Sequence, residues 1–370
     1  MYTVEMLPGD FGDALWIEYG DPGNPTRILI DGGAPGTGRV LREKILALPV
    51  NRRHFELVVV THIDLDHIMG ILELLEEDTP EGLIIGDFWF NGFKQLPDPE
   101  GVLGAKQGER LSHWIEHHGF PQNQFFAGGA VMLEDDLAEL PVVEMPGGMR
   151  ITILGPTRSR LLRLRGEWEE HIRGLELEPG EAGAELAGHS AEGISGVLGG
   201  DVDVELLAGL PFSKDTSKPN GSSIAFLAEY DEKSVLFTGD AFADDLAKSI
   251  GSLLDGTGQT RLRVDAWKLS HHGGKHNTSR QLIDRVSCRS CLVPTSGARY
   301  KHPNAETLSR ILSKAAEAGG GNALVSPMRF LFNYRTEQNE VWDDNELRSD
   351  WNYETRYPQT DRPGLKVDLS

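Results

Sequence analysis

The 370-residue sequence predicts an α/β fold in which two sheets pack face to face with helices outside. Three observations carry that expectation. Short apolar runs of strand length alternate with amphipathic helical stretches through most of the chain. The two halves share a plan, each with a hairpin, an acidic turn, and a histidine-bearing turn behind a buried strand. The composition, 39% hydrophobic and 25% charged, is that of a globular chain long enough to bury a sizeable core.

The first elements are strand 14–19, the turn GDPGNP, and strand 27–30, which ends in Asp31-Gly32-Gly33. A helix near 38–48 and strand 56–60 follow. Residues 68–77 read as a helix that buries Ile71, Leu72 and Leu75, with Gly70 permitting close packing. Strand 83–90 brings Trp89 and Phe90 to the core and Asn91 to the expected cleft. A helix over 105–118 stops at Gly119, and 149–154 is a strand. Arg158, Arg160, Arg163 and Arg165 are interspersed with Leu161, Leu162 and Leu164, the pattern of a helix with a solvated basic face. The stretch 174–220 is rich in Gly, Glu and Ala and lacks periodicity. It reads as a long loop or flexible insertion covering the site. Strands 223–230 and 234–237 form a hairpin ending in Thr238-Gly239-Asp240. Helix 241–254, strand 264–269 with the turn SHHGG, helix 279–286, strand 291–295, the loop SGARYKHP, helix 304–318 and strand 323–325 complete a domain of residues 1–335. Residues 336–370 are read as a polar C-terminal extension.

No apolar run approaches the 18 residues of a membrane span, and the N-terminus lacks the pattern of a signal peptide, so a cytoplasmic location without membrane contact is expected. A net charge of −21 argues against a protein that coats nucleic acid through a basic surface. It leaves room for a nuclease, because bound cations add positive charge where substrate sits. The two cysteines, Cys288 and Cys291 in SCRSC, lack the second pair of a zinc site and read as structural thiols.

The chemistry concentrates in THIDLDH, directly behind the apolar strand 56–60. His62, Asp64, Asp66 and His67 place four metal-binding groups within six positions at a strand mouth. Asp240, the pair His271 and His272, and His302 each stand where a strand or loop meets a helix. A buried aspartate behind an apolar strand needs a partner, and a metal ion supplies one. Such groups converging on two ions would suit displacement at phosphorus or carbonyl centres. Asp31 reads either as a residue that orients a ligand histidine or as a turn cap.

These motifs resemble the metallo-β-lactamase fold and, within it, the ComEC-like branch, named for a competence protein. The resemblance rests on GDALWIEYG, ILIDGG, VVVTHIDLDHIMGIL, NGSSIAFLAEYDEKSVLFTGDA, WKLSHHGG and the KHP turn, in that order. It implies a four-layer αββα sandwich with the metals at one edge, between the sheets. It also implies His62 and Asp64 on a first ion, Asp66 and His67 on a second, and Asp240 bridging. One of His271, His272 and His302 would complete the ligands of the second ion; we take His272. Most of the superfamily has histidine where Asp64 stands, and another shortly before the bridging aspartate, where this chain has Asn220, Ser222 and Ser223. Loss of imidazole hardens the first site, so the expected cofactors are two divalent ions, Mn²⁺ or Zn²⁺, with Mg²⁺ also compatible.

The resemblance implies hydrolysis by a metal-activated water. Asp66 would orient the water, while His271 and His302 would donate to the substrate or its leaving oxygen. Asn220, Ser222, Lys275 and Asn91 are candidate substrate contacts. The expected function is a phosphodiesterase or nuclease acting on nucleic acid or nucleotides. The alternatives are a lactone, lactam or thioester hydrolase, and a metal-binding effector subunit working with a protein partner. The sequence does not specify an oligomeric state.

Overall fold

The computed structural model describes residues 1–76, 79–97, 106–173, 202–318, 327–359 and 362–370. Period-two alternation builds the first sheet. Its strands are β1 (Tyr2–Met6), β2 (Leu15–Tyr19), β3 (Thr26–Ile30), β4 (His54–Val59) and β5 (Ile84–Trp89). In β2, Leu15, Ile17 and Tyr19 face the other sheet, whereas Trp16 faces the helices α1 (Thr37–Leu46) and α2 (Leu65–Glu76). Helix α3 (Lys106–His118) covers the same outer face.

The second sheet contains β6 (Val142–Glu144), β7 (Arg150–Gly155), β8 (Ala225–Tyr230), β9 (Lys233–Phe237), β10 (Leu262–Lys268), β11 (Val286–Val293) and β12 (Met328–Phe332). Helix α4 (Arg158–Arg173) instead sends Leu161, Leu164 and Trp168 into the first sheet's helical layer. Helices α5 (Val204–Gly209), α6 (Ala243–Leu254), α7 (Arg280–Arg285) and α8 (Ala305–Ala318) bury Leu246, Ile250, Leu282, Leu308 and Leu312 against Trp267, Val293 and Phe330 of the second sheet. A third apolar cluster fills the space between the sheets. The result is helix, sheet, sheet, helix: the four-layer sandwich expected from the sequence.

Two expectations need correction. Residues 336–370 are not an appended tail. Strand β13 (Tyr353–Arg356) pairs with β12 at one edge of the eight-stranded sheet, and β14 (Leu365–Asp368) pairs with β1 at one edge of the six-stranded sheet. Edge strands with one solvated face read as polar, which hid them. Within 174–220, residues 174–201 lie outside the described residues, but 202–220 are built in. Helix α5 buries Val204 and Ala208, and Asp203 caps it by accepting from Leu206 N at 3.0 Å. The expected strand 323–325 also lies outside the described residues. Among the described residues no helix is long and apolar enough to cross a membrane.

Strands β9 to β12 are mutually parallel, so their C-terminal ends open at one edge of the sheet. Strands β3 and β4 are also parallel and end in Asp31 and in the THIDLDH loop. The backbone bond from Ile224 N to Thr61 O, 2.9 Å, ties the two sheets together beside that loop.

Candidate metal centre

Helix α2 begins inside the motif. The Asp64 carbonyl accepts from His67 N and Ile68 N, which puts Asp66 and His67 in the first helical turn. The helix is pressed against the loop behind β3. A Cβ on Gly70 would lie 2.0 Å from Gly32 O, and one on Gly32 would lie 2.3 Å from Ile71 N, so both positions need glycine. Asp31, His271 and His272 adopt left-handed backbone, with φ of 58°, 50° and 53°. Such strain at non-glycine residues clusters at functional sites.

Asp240 is the hub. Its Oδ2 lies 3.4 Å from His67 Nε2, 3.6 Å from His271 Nε2, and 4.0 Å from the Nε2 atoms of His62 and His272. Asp66 Oδ2 lies 3.4 Å from His272 Nε2. Two groups of ligand atoms close enough to share an ion result: His62, His67 and Asp240, and Asp66, His67 and His272. The Nε2 atoms of His62, His67 and His272, with Asp66 Oδ2 and Asp240 Oδ1, are buried without a hydrogen-bond partner among the described residues. Five such atoms meeting in one place fit bound cations, because each would otherwise carry an uncompensated desolvation cost.

The opposite ring nitrogens explain why the Nε2 atoms are free. His67 Nδ1 donates to Asp31 Oδ2 at 2.8 Å. Asp31 in turn accepts from Thr61 N and Thr61 Oγ1. His272 Nδ1 donates to Asp13 Oδ1 at 2.9 Å. His62 Nδ1 lies 3.1 Å from Thr61 Oγ1 and 3.2 Å from Ser223 Oγ, and His271 Nδ1 lies 3.1 Å from Asn277 Oδ1. An acceptor at Nδ1 leaves the Nε2 lone pair facing the centre. A further group, Asp13, Asp31 and His67, also meets the distance criterion for a metal. Its carboxylates are already committed to Thr61, His67, His272 and Lys268, so we read it as the support of the centre.

Lys268 is buried beneath the site, paired to Asp13, 3.6 Å from Asp240 Oδ1, and donates to Gly239 O at 2.8 Å. Burial alone would lower its pKa, but Asp13 and Asp240 raise it above the ordinary value. Burial would likewise raise Asp66 and Asp240, yet the surrounding imidazoles hold both below the carboxylate range. His272 rises to about 9 because Asp13 and Asp240 outweigh its burial, and His67 rises for the same kind of reason beside Asp240 and Asp31. His302 goes the other way: burial and the charges of His271 and His272 push it well below the imidazole range. Its ring centroid is 4.9 Å from that of His271, and its Nδ1 is buried without a partner among the described residues.

The other sequence candidates divide. Asp64 stands at the rim, 39% exposed, with Oδ2 3.5 Å from His62 Nε2. Asn220 is buried beside the centre, donates to Asp215 Oδ2 at 2.7 Å, and lies 3.3 Å from His271 Nδ1. Three candidates are not brought to the centre as substrate contacts. Ser222 Oγ is spent on Pro219 O at 2.6 Å. Asn91 exchanges both amide bonds with the Val131 backbone, and Lys275 Nζ pairs with Glu306 at 2.8 Å. Arg160 and Arg165 of α4 have structural duties, the first with Asp245 and the second on Leu96 O and the Phe93 ring. The thiols of Cys288 and Cys291 are free and 3.6 Å apart.

Sequence reasoning missed Asp13, Lys268 and Asp215. Lys268 had a signal: a lysine inside the apolar run Val264 to Leu269 needs a buried carboxylate partner.

The family model described as the Metallo-beta-lactamase superfamily matches residues 7–284, well over half of the chain. A search of the curated proteins finds no match. Among solved structures, CmlA, a diiron beta-hydroxylase from Streptomyces venezuelae, is 11% identical with a TM-score of 0.39, covering 100% of this chain and 54% of that one. The chain thus spans about half the length of that protein. Zn(2+)-bound PqqB from Methylobacterium extorquens is 13% identical, with a TM-score of 0.42 and 100% of both chains covered. A diphosphatase from the PhnP family is 12% identical, with a TM-score of 0.38, covering 100% of this chain and 98% of that one. On the sequence match, the chain belongs to the metallo-beta-lactamase superfamily.

Proposed function

We propose that the protein is a metal-dependent hydrolase of anionic phosphodiesters, a phosphodiesterase or nuclease of the ComEC-like type, in which Asp240 would help to hold each of two divalent ions. The observation that carries this reading is the ring of four Nε2 atoms around Asp240 Oδ2. Asp66, His67, His272 and Asp240 would hold one ion. His62, His271 and Asp240 would hold the other, with Asp64 able to join from the rim. His271 is thus better placed as a ligand than as a free acid. It would take the place of the histidine absent near Asn220. Four imidazoles favour Zn²⁺, and the carboxylates allow Mn²⁺ to compete.

Charge supports the number of ions. Asp13, Asp31, Asp66 and Asp240 are buried carboxylates, and Lys268 is the buried ammonium beside them. With neutral histidines, three negative charges stand uncompensated. One divalent ion leaves this set negative; two leave it positive by one charge, or negative by one once Asp64 at the rim and Asp215 beside His271 are counted, so two ions come close to neutralising the centre.

Bound divalent cations would supply Lewis acidity at the phosphoryl oxygen and an acidified water at neutral pH. Asp66, held ionised, fits ligation and orientation of that water rather than storage of its proton. Neutral His302 can donate one hydrogen bond to a phosphoryl oxygen and exclude water from one side.

The test is activity of purified protein with Zn²⁺, Mn²⁺ or Mg²⁺ against bis-p-nitrophenyl phosphate, single- and double-stranded nucleic acid, and a chromogenic lactam. Phosphodiester cleavage that disappears in Asp66→Ala and Asp240→Ala is the expected result. Turnover of the lactam alone would favour the alternative ester or amide hydrolase.

A further inference from the structure

The geometry points to a second binding site, for a small oxyanion, at the end of the second sheet remote from the metal centre. A cleft of about 540 Å³ lies there, lined by residues of β10 and β11 and of helices α7 and α8. Because β9 to β12 are parallel, the strand ends that lead to the metal centre are the opposite ones. Arg263, on the cleft wall, is five residues before Lys268, roughly 16 Å along an extended strand.

What marks the cleft is unmet donor capacity. Trp267 lines it, is 1% exposed, and its Nε1–H has no acceptor among the described residues. Arg261 Nε is also buried without an acceptor there, although its Nη2 is fixed by Ile283 O at 3.1 Å and Val286 O at 2.8 Å. A guanidinium clamped at one end presents its remaining edge in a set direction. Burying an N–H without an acceptor is costly, and a ligand oxygen that reached it would supply the missing acceptor.

Charge agrees with the donors. Arg263 and Arg289 are exposed on the wall and have no ion-pair partner among the described residues. Lys314 differs, being committed to Asp284 at 2.6 Å and Glu317 at 3.1 Å. Glu232 and Asp265 are the acids of the wall, and Asp265 accepts from Ser234 N. Three arginines therefore outnumber two acids, on a chain whose net charge is −21. An indole N–H, a fixed guanidinium and two uncommitted arginines recognise a phosphate or carboxylate group. The site does not depend on the reaction at the metals. It does touch the same strand, since Trp267 immediately precedes Lys268.

The test uses the full chain labelled with ¹⁵N-tryptophan. The sequence has seven tryptophans, and Trp267→Phe identifies the Trp267 indole resonance by its loss. Inorganic phosphate and citrate are titrated separately, each with and without chelator, so that binding at the metals is separated from binding in the cleft. The expected result is a saturable shift of the Trp267 indole with at least one anion, retained in chelator. Response to phosphate alone identifies a phosphoryl ligand, and response to citrate alone a carboxylate ligand. Arg263→Glu with Arg289→Glu, both exposed, should weaken the response about tenfold or more. Should Trp267→Phe fail to fold, calorimetry of the charge-reversed protein reads the same loss. A Trp267 resonance unmoved by either anion, or a response untouched by charge reversal, overturns the proposal.

Discussion

Asp13 and His272 are 259 residues apart in the chain and 2.9 Å apart in the fold. The second carboxylate oxygen of Asp13 is taken by Lys268, so one side chain from the first sheet's edge orients a candidate ligand and neutralises the lysine beneath Asp240.

Replacing Asp13 should therefore do two kinds of damage. Asp13→Ala leaves Lys268 buried without its nearest carboxylate, with only Asp240 and Gly239 O beside it, a loss of about 3–5 kcal/mol. It also frees the His272 ring, weakening metal affinity about 10- to 100-fold. Thermal melts and metal titrations check the two effects separately. Asp13→Asn should keep more of the ring orientation than of the charge balance.

His271 and His302 should separate by metal content. His271→Ala is expected to bind one equivalent of metal less than the parent. His302→Ala should keep the full complement while losing rate by about 10²–10⁴ on a phosphodiester. Elemental analysis beside steady-state kinetics distinguishes them. Full metal content in His271→Ala would return that residue to a purely catalytic role.

The metal-stripped protein should lose stability on the alkaline side. His272 has its folded pKa raised from 6.5 to about 9. Its contribution is complete below pH 6.5 and disappears as pH rises through about 9. Metal affinity should run the other way, strengthening over the same window, because protons and cations compete for Nε2. Melting temperatures between pH 6 and 10, with chelator and with Zn²⁺, read both trends.

Gly12 is a further point of failure. A Cβ there would lie 1.8 Å from Asp66 O, in the turn where Asp13 N donates to that same oxygen at 3.1 Å. Gly12→Ala should cost about 1–3 kcal/mol and displace Asp66, lowering metal affinity out of proportion to the melting temperature.

Much of this was legible in the chain because the groups at the centre sit at strand ends, where alternation of apolar residues stops and polar ones begin. THIDLDH, TGD and SHHGG each announce themselves locally. The supporting contacts do not. Asp13 looks like part of a glycine-rich turn until β1 and β2 bring it beneath His272. Asn91 offered the right chemistry at the right strand end, but its amide was needed by the Val131 backbone. Edge strands β13 and β14 carry too little apolar character to show a period, and α5 is only six residues long.

The most direct test of the centre is anomalous diffraction from crystals grown with Zn²⁺ or Mn²⁺. Two peaks should appear, both within about 2.0–2.2 Å of Asp240 carboxylate oxygens. One should be shared with Asp66, His67 and His272, the other with His62 and His271. A single peak away from Asp240, or none despite activity that survives chelation, would contradict the account.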